Sequence, residues 1–237
     1  DDLRTDLFGE QKDGLTNIAS KFKHEIGDIK KGFDESDIII EKEFNTATVH
    51  QGYIEPMNVT AHWNNDSRVH IWISTQGPFQ IREETAKALD LRASQIKVTP
   101  MEIGGGFGGK TVVYLEPLAL KLSEKAGRPV KMVMRRDEVF MSTGPASGTI
   151  NTVKIGATRD GKITAMYADL LYESGAFPGS PLGAGAMCIF APYDVENVLI
   201  EGFEVVVNKP RVGAYRAPGA PQSMFAGKSV IDELAQA

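Results

Sequence analysis

The sequence predicts an α+β fold, with mixed or antiparallel strands and a few helices. Two observations carry this: strand-like runs outnumber helical-period runs, and most of them follow one another directly along the chain instead of alternating with helices. Residues 1–32 are polar and charge-rich, interrupted by Gly9, Gly14 and Gly27, and read as a linker from a preceding domain with a short strand over Ala19–Ile26. Asp34–Phe44 crowds and then alternates its apolar residues, a strand pattern rich in β-branched side chains. Val59–Trp63 and Val69–Ser74 alternate around Asn64-Asn65-Asp66, which predicts a hairpin. Over Phe79–Leu91 the period changes: Ile81, Thr85, Ala88 and Leu89 recur at helical spacing. Ser94–Ile103 reads as a strand interrupted by Pro100. Thr111–Ala126 reads as a helix closed by Gly127 and Pro129, with Pro117 counting against its first turns.

Further along, Pro129–Met134 reads as a buried strand, and Asn151–Ala157 with Ile163–Tyr172 as a hairpin turning at Asp160-Gly161. Gly175–Gly185 reads as a Gly/Ala/Pro-rich loop, Val198–Val207 as a strand, Gly213–Gln222 as a second irregular loop and Ser223–Ala237 as a helix.

Composition narrows the function classes. The 237 residues carry a net charge of −5, which excludes a broadly basic nucleic-acid-binding surface. With 42% hydrophobic and 24% charged residues the chain is globular, not disordered. The single cysteine, Cys188, excludes a disulfide framework and a four-thiolate metal site, and reads as a small core residue. His24, His50, His62 and His70 have no metal-ligand spacing on a helix face. No apolar run approaches the ~20 residues of a membrane span, no signal peptide leads the chain, and the expected location is the cytoplasm. The opening Asp1-Asp2-Leu3 and the helical propensity still running at Leu234–Ala237 lead us to expect a piece of a longer protein.

The loudest feature is Gly104-Gly105-Gly106-Phe107-Gly108-Gly109-Lys110-Thr111, set between a predicted strand and a predicted helix. It fits both the dinucleotide G-x-G-x-x-G pattern and the P-loop pattern. Free backbone N–H groups at a helix start stabilise an anion, and glycines admit a ligand close to the backbone. Context opposes both nucleotide readings. A P-loop needs a parallel βαβ unit and a later strand ending in Asp, whereas Val230-Ile231-Asp232 sits in a helical pattern. The acidic residue of a Rossmann site should end a second strand, but Glu124 lies within a helix and Asp137 in a charged run. A P-loop module and a non-catalytic structural domain stand as the alternative readings.

Taken with its neighbours, the loop resembles the molybdenum-cofactor subunit of the xanthine dehydrogenase/aldehyde oxidase family. The matching segments are Gly27-Asp28-Ile29 through Ile38–Glu41, His50-Gln51-Gly52-Tyr53-Ile54-Glu55-Pro56, Ser74-Thr75-Gln76 followed by Gly104–Lys110, and Asn208-Lys209-Pro210 with Gly213–Gly219 and Pro221-Gln222. Gly127–Val130 and Arg136-Asp137-Glu138 fall at the expected places between them. The resemblance implies that residues 33–237 are the first part of a cofactor-binding domain holding a molybdenum–pterin group, which oxidises an electrophilic carbon. It implies that the Gln76 amide donates to an oxygen on the metal, that Phe107 and Gly108 offer backbone N–H groups beside it, and that Gly106 and Arg216 lie in cofactor loops. The family's glutamate base falls outside this chain, so no catalytic base is assigned here. The implied partners are the remainder of the molybdenum subunit, an iron–sulfur protein, an FAD protein and a small-molecule substrate. The separate piece is expected to be inactive and to lack the cofactor.

Each residue also has a plainer reading. Gln76 reads as a strand-end polar group, Arg216 as a surface ion-pair partner, Phe107 as a core plug, and Glu55 as an acceptor for N–H groups of its own turn. Departures from the family bear on substrate. Xanthine-oxidising members carry a glutamate, an arginine and a phenylalanine where this chain has Thr111, about Ala184, and Pro218. None of these three can hold or stack a purine in that way. The carbon-monoxide branch carries a cysteine where this chain has Ala217. Xanthine and carbon monoxide are disfavoured; aldehydes, N-heterocycles and aromatic thioesters remain.

Overall fold

A computed structural model of the chain describes residues 16–66 and 68–237. Along them run β1 (Ile18–Ile26), α1 (Ile29–Asp34), β2 (Ile38–Thr46), β3 (Asn58–Trp63), β4 (Val69–Ile73), α2 (Pro78–Leu89) and β5 (Ile96–Pro100). Then come α3 (Glu116–Ala126), β6 (Val130–Val133), α4 (Arg136–Ser142), β7 (Thr149–Ala157), β8 (Ile163–Gly175), α5 (Leu182–Ile189), β9 (Val198–Val206) and α6 (Ala220–Gln236). The part of the expected 1–32 linker before residue 16, with Gly9 and Gly14, lies outside the described residues. The α+β class holds. The stretch 33–237 is divided between two compact units: one of residues up to Val49, Ala146–Val212 and Ala217–Ala237, the other of His50–Pro145 and Gly213–Arg216.

The first unit is a five-stranded sheet in the order β1-β9-β8-β7-β2. Its pairs are antiparallel except β8 with β9. The alternation of β7 and β8 drives one face inward: Val153, Ile155, Met166, Ala168, Leu170 and Tyr172 are buried against Leu182, Ala186 and Ile189 of α5 and Ala226 and Val230 of α6. The strand expected near Ala19–Ile26 is β1, at the sheet's edge. The short helix α1 escaped the sequence reading. Its N-cap is Asp28, whose side chain accepts the Lys31 N–H at 3.0 Å.

Three expectations in this unit need correction. Gly175–Gly185 is not loop throughout, because α5 begins at Leu182. Intrinsic propensity argues against a helix containing Gly183 and Gly185, but close packing overrides it: a Cβ on Gly185 would come 2.3 Å from the Tyr172 hydroxyl oxygen. The loop after Gly213 likewise ends early, since α6 starts at Ala220 with Pro221 in its first turn. Cys188 is half-buried on α5 instead of lying in the core.

The second unit is a four-stranded sheet ordered β5-β4-β3-β6. The expected hairpin is present as β3–β4, with His62 opposite His70, and β5 joins β4 in parallel. Val59, Ala61, Val69, Ile71, Ile73 and Ile96 form one core with Ala86 of α2 and Ala119 and Leu120 of α3. Here too the reading is corrected. β6 is an edge strand with alternate residues exposed, not a buried one. α3 starts at Glu116, not Thr111, because Pro117 fits the first turn and no later position. Glu116 is buried there and accepts the Tyr114 N–H at 2.7 Å; burial pushes its carboxyl above the usual range. α4, whose N-terminus carries a reciprocal Arg135/Glu138 cap, was not anticipated.

Candidate functional site

Segments far apart in the sequence meet in the second unit. β4 ends into Ser74-Thr75-Gln76, and here the strand end grips the glycine loop. The Thr75 hydroxyl and the Gln76 N–H both donate to the Lys110 carbonyl, each at 2.9 Å. In return, Gln76 Oε1 accepts the N–H of Gly108 at 2.9 Å and of Lys110 at 3.3 Å. The other end of the amide, Nε2, has no partner among the described residues, and the side chain is exposed. Gln76 is therefore a strand-end group bonded to backbone through Oε1, with Nε2 a donor that has no partner among the described residues.

The glycines are explained by the protein's own packing. A Cβ on Gly106 would come 2.5 Å from Gln76 Oε1, and one on Gly108 would come 2.7 Å from the Ala214 carbonyl oxygen. Gly108 also sits at φ +100°, a conformation L side chains rarely adopt. The room expected for a ligand at these two positions is filled by Gln76 and Ala214. Phe107 holds a left-handed backbone at φ 51° and is 47% exposed, so it is no core plug. Of the two backbone N–H groups expected to point at a metal centre, that of Gly108 is taken up by Gln76. That of Phe107 has no partner among the described residues.

Residues 51–55 form the floor beneath this loop. Tyr53 is fully buried. Glu55 Oε2 accepts the Gly104 N–H at 2.7 Å and the Lys110 ammonium at 2.7 Å, while Oε1 accepts from Asn58 at 3.0 Å. Burial pushes the Glu55 carboxyl up, but hydrogen bonds from Lys110, Gly104 and Asn58 outweigh it and hold the carboxyl down at about 2. Lys110 has a side chain 0% exposed and turned inward, with its ammonium 5.0 Å from the Tyr53 ring centroid. A P-loop lysine must face outward to a phosphate, and here α3 starts only after five intervening residues. Gln51 Nε2 donates to the carbonyls of Gly144 at 2.8 Å and Ala214 at 2.7 Å, tying the returning segment Gly213–Arg216 into the unit. His50 is likewise hydrogen-bonded, to Thr143 at 2.7 Å.

That returning segment brings Arg216, whose N–H donates to the Phe107 carbonyl at 2.8 Å. Its exposed guanidinium has no ion pair or hydrogen bond among the described residues, so the plainer reading as an ion-pair partner does not hold within them. The structure thus brings together Gln76, Gly106, Phe107, Gly108 and Arg216. The Thr111 hydroxyl turns back to donate to the Gly108 carbonyl at 3.0 Å. Ala184 is exposed on α5, and the half-buried Pro218 lies just before α6; both belong to the first unit. Sequence reasoning gave no role to Gln51 or Tyr53 and missed the Glu55–Lys110 pair. The one signal available was their clustering in the quoted His50–Pro56 segment. Among the described residues no group of three or more His, Cys, Asp or Glu could hold a metal ion, and no helix is long and apolar enough to cross a membrane.

Comparison with known proteins agrees with this geometry. The profile of the molybdopterin cofactor-binding domain matches residues 11–237. The large molybdopterin subunit of nicotinate dehydrogenase from Eubacterium barkeri is 31% identical over 228 residues, covering 94% of this chain and 53% of that subunit. A putative xanthine dehydrogenase molybdenum-binding subunit of Escherichia coli K12 is 30% identical over 225 residues, covering 93% of this chain and 30% of its relative. Among solved structures, the aldehyde oxidoreductase of Desulfovibrio gigas superposes with a TM-score of 0.86 at 29% identity, over 93% of this chain and 25% of that one. The chain therefore spans about half the length, or less, of these relatives.

Proposed function

This chain belongs to the molybdopterin cofactor-binding domain family, and from that premise we propose that it supplies one wall of the cofactor site in a cytoplasmic molybdenum hydroxylase. The observation that carries the reading is how Gln76 is bonded: its accepting end is taken up by the glycine loop, and its donating end has no partner among the described residues. A group bearing metal-bound and phosphate oxygens needs donors and a cation with no prior partner. Among the described residues Gln76 Nε2, the Phe107 N–H and the Arg216 guanidinium are such groups, so the residues present fit it.

When bound, the molybdenum–pterin group supplies two-electron oxidation of an electrophilic carbon. Gln76 would donate a hydrogen bond to one of its oxygens, and the Phe107 N–H would do so beside it. These dipoles are preorganised, because Gly108 and Lys110 hold the amide from behind. Arg216 offers positive charge from the neighbouring loop. Glu55 takes no proton in the reaction: its carboxyl is held at about 2 with both oxygens bonded, far from the value a general base needs near neutrality. The base is supplied from outside this chain. An iron–sulfur protein and a flavoprotein would be the electron acceptors.

For substrate, an aldehyde or N-heterocycle fits best. Thr111 has no carboxylate and its hydroxyl is turned onto Gly108, Ala184 has no charge, Pro218 has no ring to stack, and Ala217 has no sulfur. The test is molybdenum and pterin analysis of the full-length protein, with turnover measured on aldehydes, nicotinate-like heterocycles, xanthine and carbon monoxide. Stoichiometric molybdenum and oxidation of the first two classes are expected. A full-length protein free of molybdenum, or one preferring xanthine, would overturn the corresponding part.

A further inference from the structure

One oxygen of one carboxylate meets both ends of the glycine loop. Glu55 Oε2 lies 2.7 Å from the Gly104 nitrogen, at the first residue, and 2.7 Å from Lys110 Nζ, at the last. The carboxylate's own orientation is fixed twice over. The Glu55 N–H donates back to the Gly104 carbonyl at 3.1 Å, and Asn58 holds Oε1 at 3.0 Å. Lys110 is buried over the Tyr53 ring, and Glu55 is its one salt-bridge partner among the described residues.

A loop whose ends are drawn to a common point has few ways left to arrange its middle. This loop's middle holds Phe107 in a left-handed backbone, a conformation that persists where the surroundings over-determine it. Gln76 grips the loop on its far half, at Gly108 and Lys110, and makes no hydrogen bond to Gly104. We infer that Glu55 is a positioning residue: by holding Gly104 and Lys110 on one oxygen it closes the loop, and so fixes where Phe107 and Gly108 are presented. Its value to the reaction rests on the reading above that this loop faces the cofactor; the closure itself does not.

The test must separate closure from ordinary stabilisation. Glu55→Gln strands a buried ammonium and should lower the melting temperature. Combining it with Lys110→Met removes both charges, and neutral replacement of a buried pair commonly restores stability. In full-length protein produced without molybdate, the double variant should melt near the wild type. Yet its Gly104–Lys110 amides should exchange at least about tenfold faster, with β3 and β4 unchanged. Lys110→Met alone, which leaves Glu55 its two neutral donors, should show the same local loosening and guards against misfolding of the other variants. Wild-type exchange in the loop of both Lys110→Met proteins would overturn the inference. If the loop loosens but protein made with molybdate carries full molybdenum, closure by Glu55 stands and the cofactor reading of the loop falls.

Discussion

A primary amide accepts at one end and donates at the other, and Gln76 uses the two ends for different work. Oε1 organises the loop through Gly108 and Lys110, while Nε2 has no partner among the described residues. Substitutions can separate these roles. Gln76→Glu keeps an oxygen to receive the two N–H groups but removes the Nε2 donors. Gln76→Ala removes both and leaves the Gly108 and Lys110 N–H groups without their acceptor. On the proposed function, Gln76→Glu in the full-length protein should retain molybdenum and lose turnover by about 10²–10³, the usual effect of deleting one preorganised donor. Gln76→Ala should lose metal as well as turnover. Metal analysis beside kcat decides between them; equal metal loss in the two variants would mean that Nε2 anchors the cofactor instead of acting on the reaction.

At the scale of elements, the same residue type serves opposite ends. Gly127 closes α3 at φ +62° with open space around its missing Cβ, whereas Gly108 sits at φ +100° against the Ala214 carbonyl. Gly127→Ala should therefore cost only the left-handed backbone penalty, about 1 kcal/mol, read by urea unfolding. Gly108→Ala adds a clash at 2.7 Å with backbone that cannot rotate away. It should displace Gly213–Arg216 from the loop and lower the molybdenum content of the full-length protein several-fold, where Gly127→Ala leaves it unchanged. The contrast also marks what was legible in the sequence. The β3–β4 and β7–β8 hairpins could be read because period-2 alternation is local, and α2 because its apolar stripe is. α5 could not, because Gly183 and Gly185 argue against a helix until Tyr172 is seen packed against Gly185. The start of α3 was misplaced because Pro117 marks a first turn as readily as a kink. The glycine loop announced itself by composition. Its partners Glu55, Gln76 and Ala214 lie 32 to over 100 residues away, and no periodicity links them.

At the scale of the molecule, each hydrophobic cluster draws its side chains from one unit alone. The β7–β8 core is built with α5 and α6, and the β3–β4 core with α2 and α3. The short stretch Gly213–Arg216 of the second unit lies between β9 and α6, and its larger stretch, His50–Pro145, lies inside a single connection of the first, between β2 and β7. These two strands pair from Ile38 with Ala157 to Thr46 with Thr149, and beyond them the Ala146 N–H donates to the Val49 carbonyl at 2.8 Å. The ends of the excursion 50–145 are thus already at hairpin distance, and closing them demands little loop entropy. Replacing residues 50–145 by an Asn-Gly turn should leave a β-rich protein that unfolds in one cooperative step, since its core loses no side chain. Circular dichroism and a urea transition check this; a broad, uncooperative transition would show that the first unit depends on the second for its folding. The reverse excision should fare worse as a site. Residues 50–145 alone keep Gln76, Phe107 and the Glu55 closure but lack Gly213–Arg216, which leaves Gln51 without its Ala214 acceptor and the site without its unpaired cation. The fold thus carries the pieces of the site on two stretches of chain, and Gln51, with no role assigned from sequence, is one of the side chains that hold those stretches together.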